Sequence, residues 1–98
     1  MKVVWTDEAS RELAHAQDMG RLYWPGSVGD MTRAMLSGVE RVRDFPFSGR
    51  EGALTGTREL VMTRYPFTLV YRVKEETLTV LRMYHQSKRW PERGDGGS

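Results

Sequence analysis

Residues 57–85, TRELVMTRYPFTLVYRVKEETLTVLRMYH, decide the fold of this 98-residue chain. Aliphatic, aromatic and β-branched side chains dominate three runs, at 57–63, 67–73 and 77–84, and such runs are typical of β-strands. Tyr65-Pro66 and Lys74-Glu75-Glu76 separate these runs, and connections of that length join antiparallel neighbours. The stretch therefore predicts a three-stranded antiparallel meander.

The last strand of this meander has a mixed pattern on both of its faces. Because side chains alternate along a strand, two sets of residues are expected to point in opposite directions. One set is Leu78, Val80, Arg82 and Tyr84, and the other is Thr79, Leu81, Met83 and His85. Neither set is purely polar, so we expect both faces of the sheet to be partly covered, one of them by helices.

The residues before the meander predict one strand and two helices. A strand at 2–5 precedes Thr6, whose hydroxyl can cap the helix that follows, and Trp24-Pro25-Gly26 ends that helix. A second helix at 27–43 is indicated by apolar residues at helical spacing. These residues are Met31, Met35, Val39 and Val42. The glycine-containing segment 47–56 is predicted to be a loop.

Together these elements predict an α+β fold of the order strand–helix–helix–three strands. The helical hairpin is expected to pack on a four-stranded, mainly antiparallel sheet. The length of 98 residues fits a single domain, which we place at 1–93, and the glycine-rich residues 94–98 are predicted to be a disordered tail.

Composition narrows the functional classes. The chain has no cysteine and only two histidines, His15 and His85, on separate predicted elements, so no metal site and no cofactor is predicted. The net charge is +2, and twelve of the fifteen cationic residues are arginine, which suits contacts with phosphate or carboxylate groups. No apolar run is long enough to span a bilayer, and we expect a cytoplasmic protein with no membrane partner.

Cationic and aromatic side chains gather on the predicted strands or just beyond them. The cations are Arg58, Arg64, Arg72, Arg82, His85, Lys88 and Arg89. Arg58 and Arg82, with Tyr84 and His85, could support metal-free RNA cleavage, in which a base removes the 2′-hydroxyl proton and arginine stabilises the phosphorane. The alternative is that the arginines only form surface ion pairs, for instance with Glu51, Glu59 or Asp95.

Four segments resemble the ParE/RelE toxin superfamily. They are FPFSGREG at 45–52, GTRELV at 56–61, PFTLVYRV at 66–73 and LRMYH at 81–85. The order and spacing of the elements agree with this superfamily over residues 2–91. The resemblance implies the toxin of a type II toxin–antitoxin module, held in a hetero-oligomer by a small antitoxin with an acidic C-terminal segment.

The resemblance also bears on the mode of action. RelE-like members cleave messenger RNA on the ribosome and carry an arginine in the middle strand, where this chain has Thr68. A threonine donates one neutral hydrogen bond and cannot offset developing charge. Residues 49–52, 56–59 and 85–87 are more similar to ParE-like members, which poison DNA gyrase.

Three hypotheses follow from the resemblance. The first is a ParE-like gyrase poison without catalytic residues, in which gyrase or the antitoxin is contacted by Arg58, Arg64, Arg82, His85, Lys88 and Arg89. The second is a RelE-like endoribonuclease acting on ribosome-bound messenger RNA, with Arg58, Arg82, Tyr84 and His85 as its catalytic residues. The third is an inactive homologue that acts only in a complex with its antitoxin and operator DNA.

Overall fold

A computed structural model describes residues 1–88 of the chain. The predicted tail at 94–98 and the candidate contact residue Arg89 lie outside the described residues. The elements, in chain order, are β1 (Lys2–Trp5), α1 (Asp7–Tyr23), α2 (Val28–Asp44), β2 (Arg50–Glu51), β3 (Arg58–Val61), β4 (Phe67–Lys74) and β5 (Thr77–His85). Their order confirms the α+β prediction.

The strands form one sheet in the order β1-β5-β4-β3-β2, antiparallel except for the parallel pair β1 and β5. The predicted meander is confirmed as β3, β4 and β5. The predicted count of four strands is wrong, since β2 adds a fifth strand inside the predicted loop by pairing Arg50 with Glu59 and Glu51 with Arg58. A two-residue strand is too short to show an alternating pattern in the sequence.

Two local contacts fix the start of α1 and the point where α1 meets α2. The backbone N–H of Ala9 donates to the hydroxyl of Thr6 at 3.0 Å, which confirms the predicted cap. At the far end of α1, a Cβ atom on Gly20 would lie 2.9 Å from Cγ2 of Val28, so a larger residue there would have to displace the Val28 side chain where α1 and α2 cross. Neither of the helices described here is long and apolar enough to cross a membrane.

The hydrophobic core lies between the helical hairpin and one face of the sheet. All four residues of the predicted stripe on α2 are buried, which confirms that interpretation. They meet the sheet residues Leu69, Tyr71, Leu78, Val80 and Met83. Burial of such side chains contributes about 1.5–3 kcal/mol each relative to full exposure.

A β-bulge corrects the predicted faces of β5. Tyr71 lies opposite Val80, but the next pair is Val70 with Arg82, so Leu81 is the extra residue. The bulge reverses the alternation, and Met83 rather than Arg82 joins Leu78 and Val80 in the core. The second face of the sheet carries Arg82 and Tyr84 with Val70 and Thr68, and all four side chains are buried.

Candidate functional site

Arg58 holds the loop that follows α2. Its side chain projects from β3, where the residue opposite is Tyr71. The guanidinium Nη1 donates to the carbonyl oxygen of Gly49 at 2.8 Å, and its central carbon lies 4.8 Å from the ring centroid of Phe47. A cation over an aromatic ring is stabilised by the ring quadrupole. Arg58 is therefore engaged by the protein's own loop.

Tyr71 holds the same loop from the core side. Its hydroxyl donates to the carbonyl oxygen of Pro46 at 2.6 Å and accepts from the N–H of Gly49 at 3.1 Å. Burial raises the pKa of Tyr71, although the Gly49 N–H and the charge of Arg58 act in the opposite direction. We call Arg58, Tyr71, Gly49 and Pro46 the loop clamp. The roles of Tyr71 and Pro46 were not predicted, because no local pattern links two residues that lie 25 positions apart.

Gly49 is required in the loop clamp by its surroundings. A Cβ atom there would lie 2.6 Å from the hydroxyl oxygen of Tyr71 and 2.9 Å from the carbonyl oxygen of Glu59. The carbonyl belongs to the backbone of β3 and cannot give way without moving the strand. Only a residue without a side chain lets the loop approach the sheet this closely.

Arg82 is bound by two carboxylates of α1. Its Nε and Nη2 donate to Oε2 of Glu12 at 2.9 and 2.6 Å, and its Nη1 lies 3.7 Å from Oε2 of Glu8. The other oxygen of Glu12 accepts the backbone N–H of Met83 at 2.8 Å. The predicted alternative of ion pairs with Glu51, Glu59 or Asp95 did not identify these partners, which lie about 70 residues away in the sequence.

Arg64 and Tyr65 join the β3–β4 turn to α2 through a single carboxylate. Arg64 forms an ion pair with Asp30, and the hydroxyl of Tyr65 donates to Oδ2 of the same residue at 2.5 Å. This hydrogen bond raises the pKa of Tyr65, because loss of the phenolic proton would place two negative charges side by side. We call these three residues the Asp30 latch. Asp30 has no role in the sequence-based hypotheses.

His85 and Lys88 lie just past the latch, at the end of β5. The His85 ring stands edge-on to Phe67 with centroids 5.3 Å apart, and its Nδ1 accepts the N–H of Ser87 at 3.0 Å. The backbone N–H of Lys88 donates to the carbonyl of His85 at 2.9 Å, and Lys88 is exposed. Tyr84, between Met83 and His85, lies opposite Thr68 on the buried second face.

A groove of about 890 Å³ runs between α1, the start of α2 and the ends of β4 and β5. We call it the α1–β5 groove. Its apolar lining includes Met19, Val28, Met31, Phe67, Met83 and Trp24, and its charged lining includes Glu8, Arg11, Glu12, His15, Arg82 and Lys88. A concave, mostly apolar site with a few charged groups suits binding of another molecule.

The structure brings some of the predicted site residues together and keeps others apart. Arg82, Tyr84, His85 and Lys88 all line the α1–β5 groove. Arg58 does not line this groove: its guanidinium is bonded to the carbonyl oxygen of Gly49 and lies over the ring of Phe47, whereas that of Arg82 is bonded to Glu12 of α1. The four residues of the ribonuclease hypothesis therefore do not converge on one point. Within residues 1–88, no group of three potential metal ligands comes together.

Comparisons with known proteins agree with this architecture. The family model described as "ParE toxin of type II toxin-antitoxin system, parDE" matches residues 3–90. The Sinorhizobium fredii protein named "Putative toxin Y4kP" is 26% identical over 91 residues, which make up 93% of this chain and 94% of that protein.

Two solved structures share the fold. A chain of the chromosomal ParDE toxin–antitoxin system from P. aeruginosa has a TM-score of 0.78 and 24% identity, covering 87% of this chain and 95% of that one. The YoeB/ParE toxin from Agrobacterium tumefaciens has a TM-score of 0.63 and 20% identity, covering 87% of this chain and 98% of that one.

Proposed function

This chain belongs to the ParE toxin family of type II toxin–antitoxin systems, and on that premise we propose that it arrests growth by binding and poisoning DNA gyrase. We propose further that a cognate antitoxin with an acidic segment neutralises it in a hetero-oligomer. In this proposal Arg64, His85, Lys88 and Arg89 contribute contacts to the target or to the antitoxin, and none of them performs catalysis.

The engagement of Arg58 and Arg82 by different partners within the protein is the observation that carries the non-catalytic proposal. RNA cleavage needs cations aimed at one phosphate, because the developing charge is concentrated there. Arg58 is hydrogen-bonded within the loop clamp, and Arg82 is bound to Glu8 and Glu12 of α1. The threonine at position 68 is buried, so it adds no exposed donor to either arginine.

The antitoxin proposal rests on family membership and on exposed surface. Type II modules pair a toxin with a protein that covers it, and this chain leaves large apolar side chains in solvent. They include Leu22, Tyr23, Trp24, Phe45 and Phe47, each more than 60% exposed. Apolar surface of this kind marks interaction sites in small proteins.

Purified protein distinguishes the two targets. We expect the wild-type chain to inhibit supercoiling by purified gyrase and to induce the SOS response on expression, while messages on purified ribosomes stay intact. The matched control is Met35→Asp, which places a charge at a fully buried core position and should abolish both effects by unfolding the chain.

Two outcomes would overturn the gyrase proposal. Prompt cleavage of ribosome-bound messenger RNA by the wild-type chain, absent with Met35→Asp, would support the endoribonuclease instead. Expression that causes no growth arrest in the absence of antitoxin would support an inactive homologue that functions only in its complex.

A further inference from the structure

We infer that the face of the sheet turned away from the helices carries a binding site for the phosphate backbone of duplex DNA. Its members come from β1, β4 and β5, and we call them the cationic patch: Lys2, Arg72, Lys74, Thr77 and Thr79. The inference goes beyond the proposed function, because it assigns a second ligand to a surface outside the α1–β5 groove and the loop clamp. Its choice of DNA over RNA rests on the proposed gyrase target.

The pairing of three strands brings the cationic patch together. Thr77 of β5 lies opposite Lys2 of β1 on one side and opposite Lys74 of β4 on the other. Thr79 lies opposite Arg72 of β4. Neighbouring strands are about 4.8 Å apart and alternate residues about 6.7 Å apart, so the three cations span an area of roughly 10 by 7 Å.

Strand alternation places these residues on the face away from the core. Leu78, between the two threonines, belongs to the core, and its neighbour Val3 on β1 packs against the core. The residues on either side of Leu78 and Val3 therefore point to the other face, because the β-bulge lies farther along β5. Lys2, Arg72 and Lys74 are exposed there.

The three cations have no carboxylate partner in the protein. Within residues 1–88, none of them forms an ion pair. Glu75 and Glu76 occupy the turn next to the patch, where they lower its potential without pairing with a particular cation. The half-buried hydroxyls between the cations add neutral donors of the kind that contact phosphate oxygens in protein–DNA complexes.

The composition of the cationic patch favours DNA over a protein partner. The apolar neighbour of the patch is Val4, which lies opposite Thr79, and the most exposed aromatic rings lie elsewhere, in the segments 23–24 and 45–47. Protein–protein interfaces have an apolar and aromatic core, whereas protein–DNA interfaces are more polar and more positively charged.

The dimensions and chemistry of the patch favour a duplex. Single-stranded nucleic acid is held by aromatic rings on which its bases stack, and no member of the patch is aromatic. Each strand of duplex DNA carries one phosphate per about 3.4 Å of helix axis, so a patch about 10 Å long can face about three phosphates of one strand. That number matches the three cations.

The test measures binding of the full-length chain to a fluorescent DNA duplex of about 20 base pairs and mixed sequence, by anisotropy between about 50 and 200 mM salt. We expect Arg72→Gln/Lys74→Gln to weaken binding about tenfold or more at the lowest salt. The slope of log K against log salt should become shallower by about 1.8, since each lost phosphate contact removes about 0.9.

The matched control is Arg33→Gln/Arg41→Gln, which removes the same net charge. Both arginines are exposed on α2, whose buried side chains meet the core face of the sheet. This variant should change the affinity by about twofold or less and leave the salt slope as it is in the wild type. Thermal melts establish that both double variants are folded.

Two further variants test the patch from its other members. Lys2→Gln, on a different strand, should weaken binding about threefold and reduce the salt slope by about 0.9. Glu75→Gln/Glu76→Gln should tighten binding about twofold or more, because it removes like charges facing the phosphates. These variants keep the inference testable if Arg72→Gln/Lys74→Gln does not fold.

Several results would overturn the inference. One is a patch variant that binds the duplex with the affinity and salt slope of the wild type. A second is displacement of the DNA by polyglutamate at an equal concentration of charges, which would assign the patch to an acidic protein. A third is binding of an RNA duplex of the same sequence at least about tenfold more tightly than the DNA, which would assign the patch to RNA.

The supercoiling assay separates this inference from the proposed function. Inhibition of gyrase by a wild-type chain that does not bind DNA would overturn the inference and leave the gyrase proposal standing. DNA binding that depends on the cationic patch, in a chain that does not inhibit gyrase, would support the patch and overturn the gyrase proposal.

Discussion

The loop clamp and the α1–β5 groove use similar side chains in opposite ways. In the clamp, Tyr71 and Arg58 bond to backbone atoms of the loop, and the tyrosine is fully buried. Tyr65, which lines the groove, shares the carboxylate of Asp30 with Arg64 near the surface. Polar groups bonded to backbone inside a core fix one conformation, while polar groups at a surface remain accessible to a partner.

This difference indicates that the two regions serve different purposes. The clamp side ties the loop at 45–50 to β3 and β4 and thus completes the fold. The groove side keeps Arg11, Lys88 and Trp24 in solvent. We therefore expect substitutions in the clamp to change stability and those at the groove rim to change binding.

Gly49→Ala should be the most destabilising substitution in the loop clamp. The new methyl group would lie 2.6 Å from the Tyr71 hydroxyl and 2.9 Å from a backbone carbonyl, so the loop must move away from the sheet. We expect a loss of about 3 kcal/mol in the free energy of unfolding, measured by urea denaturation. The control is Gly26→Ala in the turn between the helices, where no atom beyond the adjacent residues lies within 4 Å of the added methyl group. Equal unfolding midpoints for the two variants would contradict the clamp.

Glu12→Gln tests how much the ion pair between α1 and β5 stabilises the fold. The change keeps the shape of the side chain but removes the charge of the carboxylate nearest to Arg82, so a largely buried cation loses its closest ionic partner and keeps the more distant Glu8. We expect a loss of about 2 kcal/mol in the same assay. Glu8→Gln is the control, because its carboxylate is 57% exposed and 3.7 Å from Arg82, whereas that of Glu12 is 18% exposed and 2.6 Å away. A similar loss in both variants would show that Glu12 has no special structural role.

Tyr71→Phe and Tyr65→Phe compare how much each tyrosine hydroxyl contributes to the free energy of unfolding. Removing the hydroxyl leaves the carbonyl of Pro46 and the N–H of Gly49 without their partner inside the protein. The expected loss is about 1.5 kcal/mol in the free energy of unfolding. Tyr65→Phe at the groove should lose less, since water can replace its hydrogen bond to Asp30. An equal or larger loss in Tyr65→Phe would reverse the assignment of the stability role to the clamp.

Alkaline pH gives the smallest effect and the most specific one. The pKa of Tyr71 is raised in the folded chain, so the native state holds this proton more tightly than the unfolded chain does. The resulting stabilisation is complete below the unfolded pKa of about 10 and is lost as the pH rises through the raised value. Denaturation between about pH 9 and 11 should therefore show the stability gap between wild type and Tyr71→Phe narrowing. A stability difference that does not change with pH would mean that Tyr71 has the same pKa in the folded and the unfolded chain.

The sequence predicts the elements well where the determining signal is local. The stripe of α2, from Met31 to Val42, and the hairpin connection at Tyr65-Pro66 are written in neighbouring residues, and the structure confirms both elements within a few positions. Thr6 was identified as a cap for the same reason, because the N–H it accepts lies only three residues away. Local rules of this kind do not depend on the rest of the fold.

The sequence does not predict features that depend on how distant segments meet. The bulge at Leu81 is visible only once β4 and β5 are paired, and it moves Arg82 off the face assigned by simple alternation. The partner of Arg82 is Glu12, 70 residues earlier. The groove was likewise not predicted. In the sequence Trp24 is recognisable only as part of a helix-breaking segment, and it lines the groove only because α1 lies beside β5.

The parallel pair of β1 and β5 has a consequence for the timing of folding during synthesis. Val3 lies opposite Leu78, and Thr6 at the start of α1 donates to the carbonyl of Leu81, 75 residues later. A ribosome adds about 5–20 residues per second, so roughly 4 to 15 seconds pass between the two halves of this contact. Until then β1 has no strand to pair with, and α1 has no β5 to pack against. A growing chain therefore cannot present the finished toxin surface before its last strand has been made.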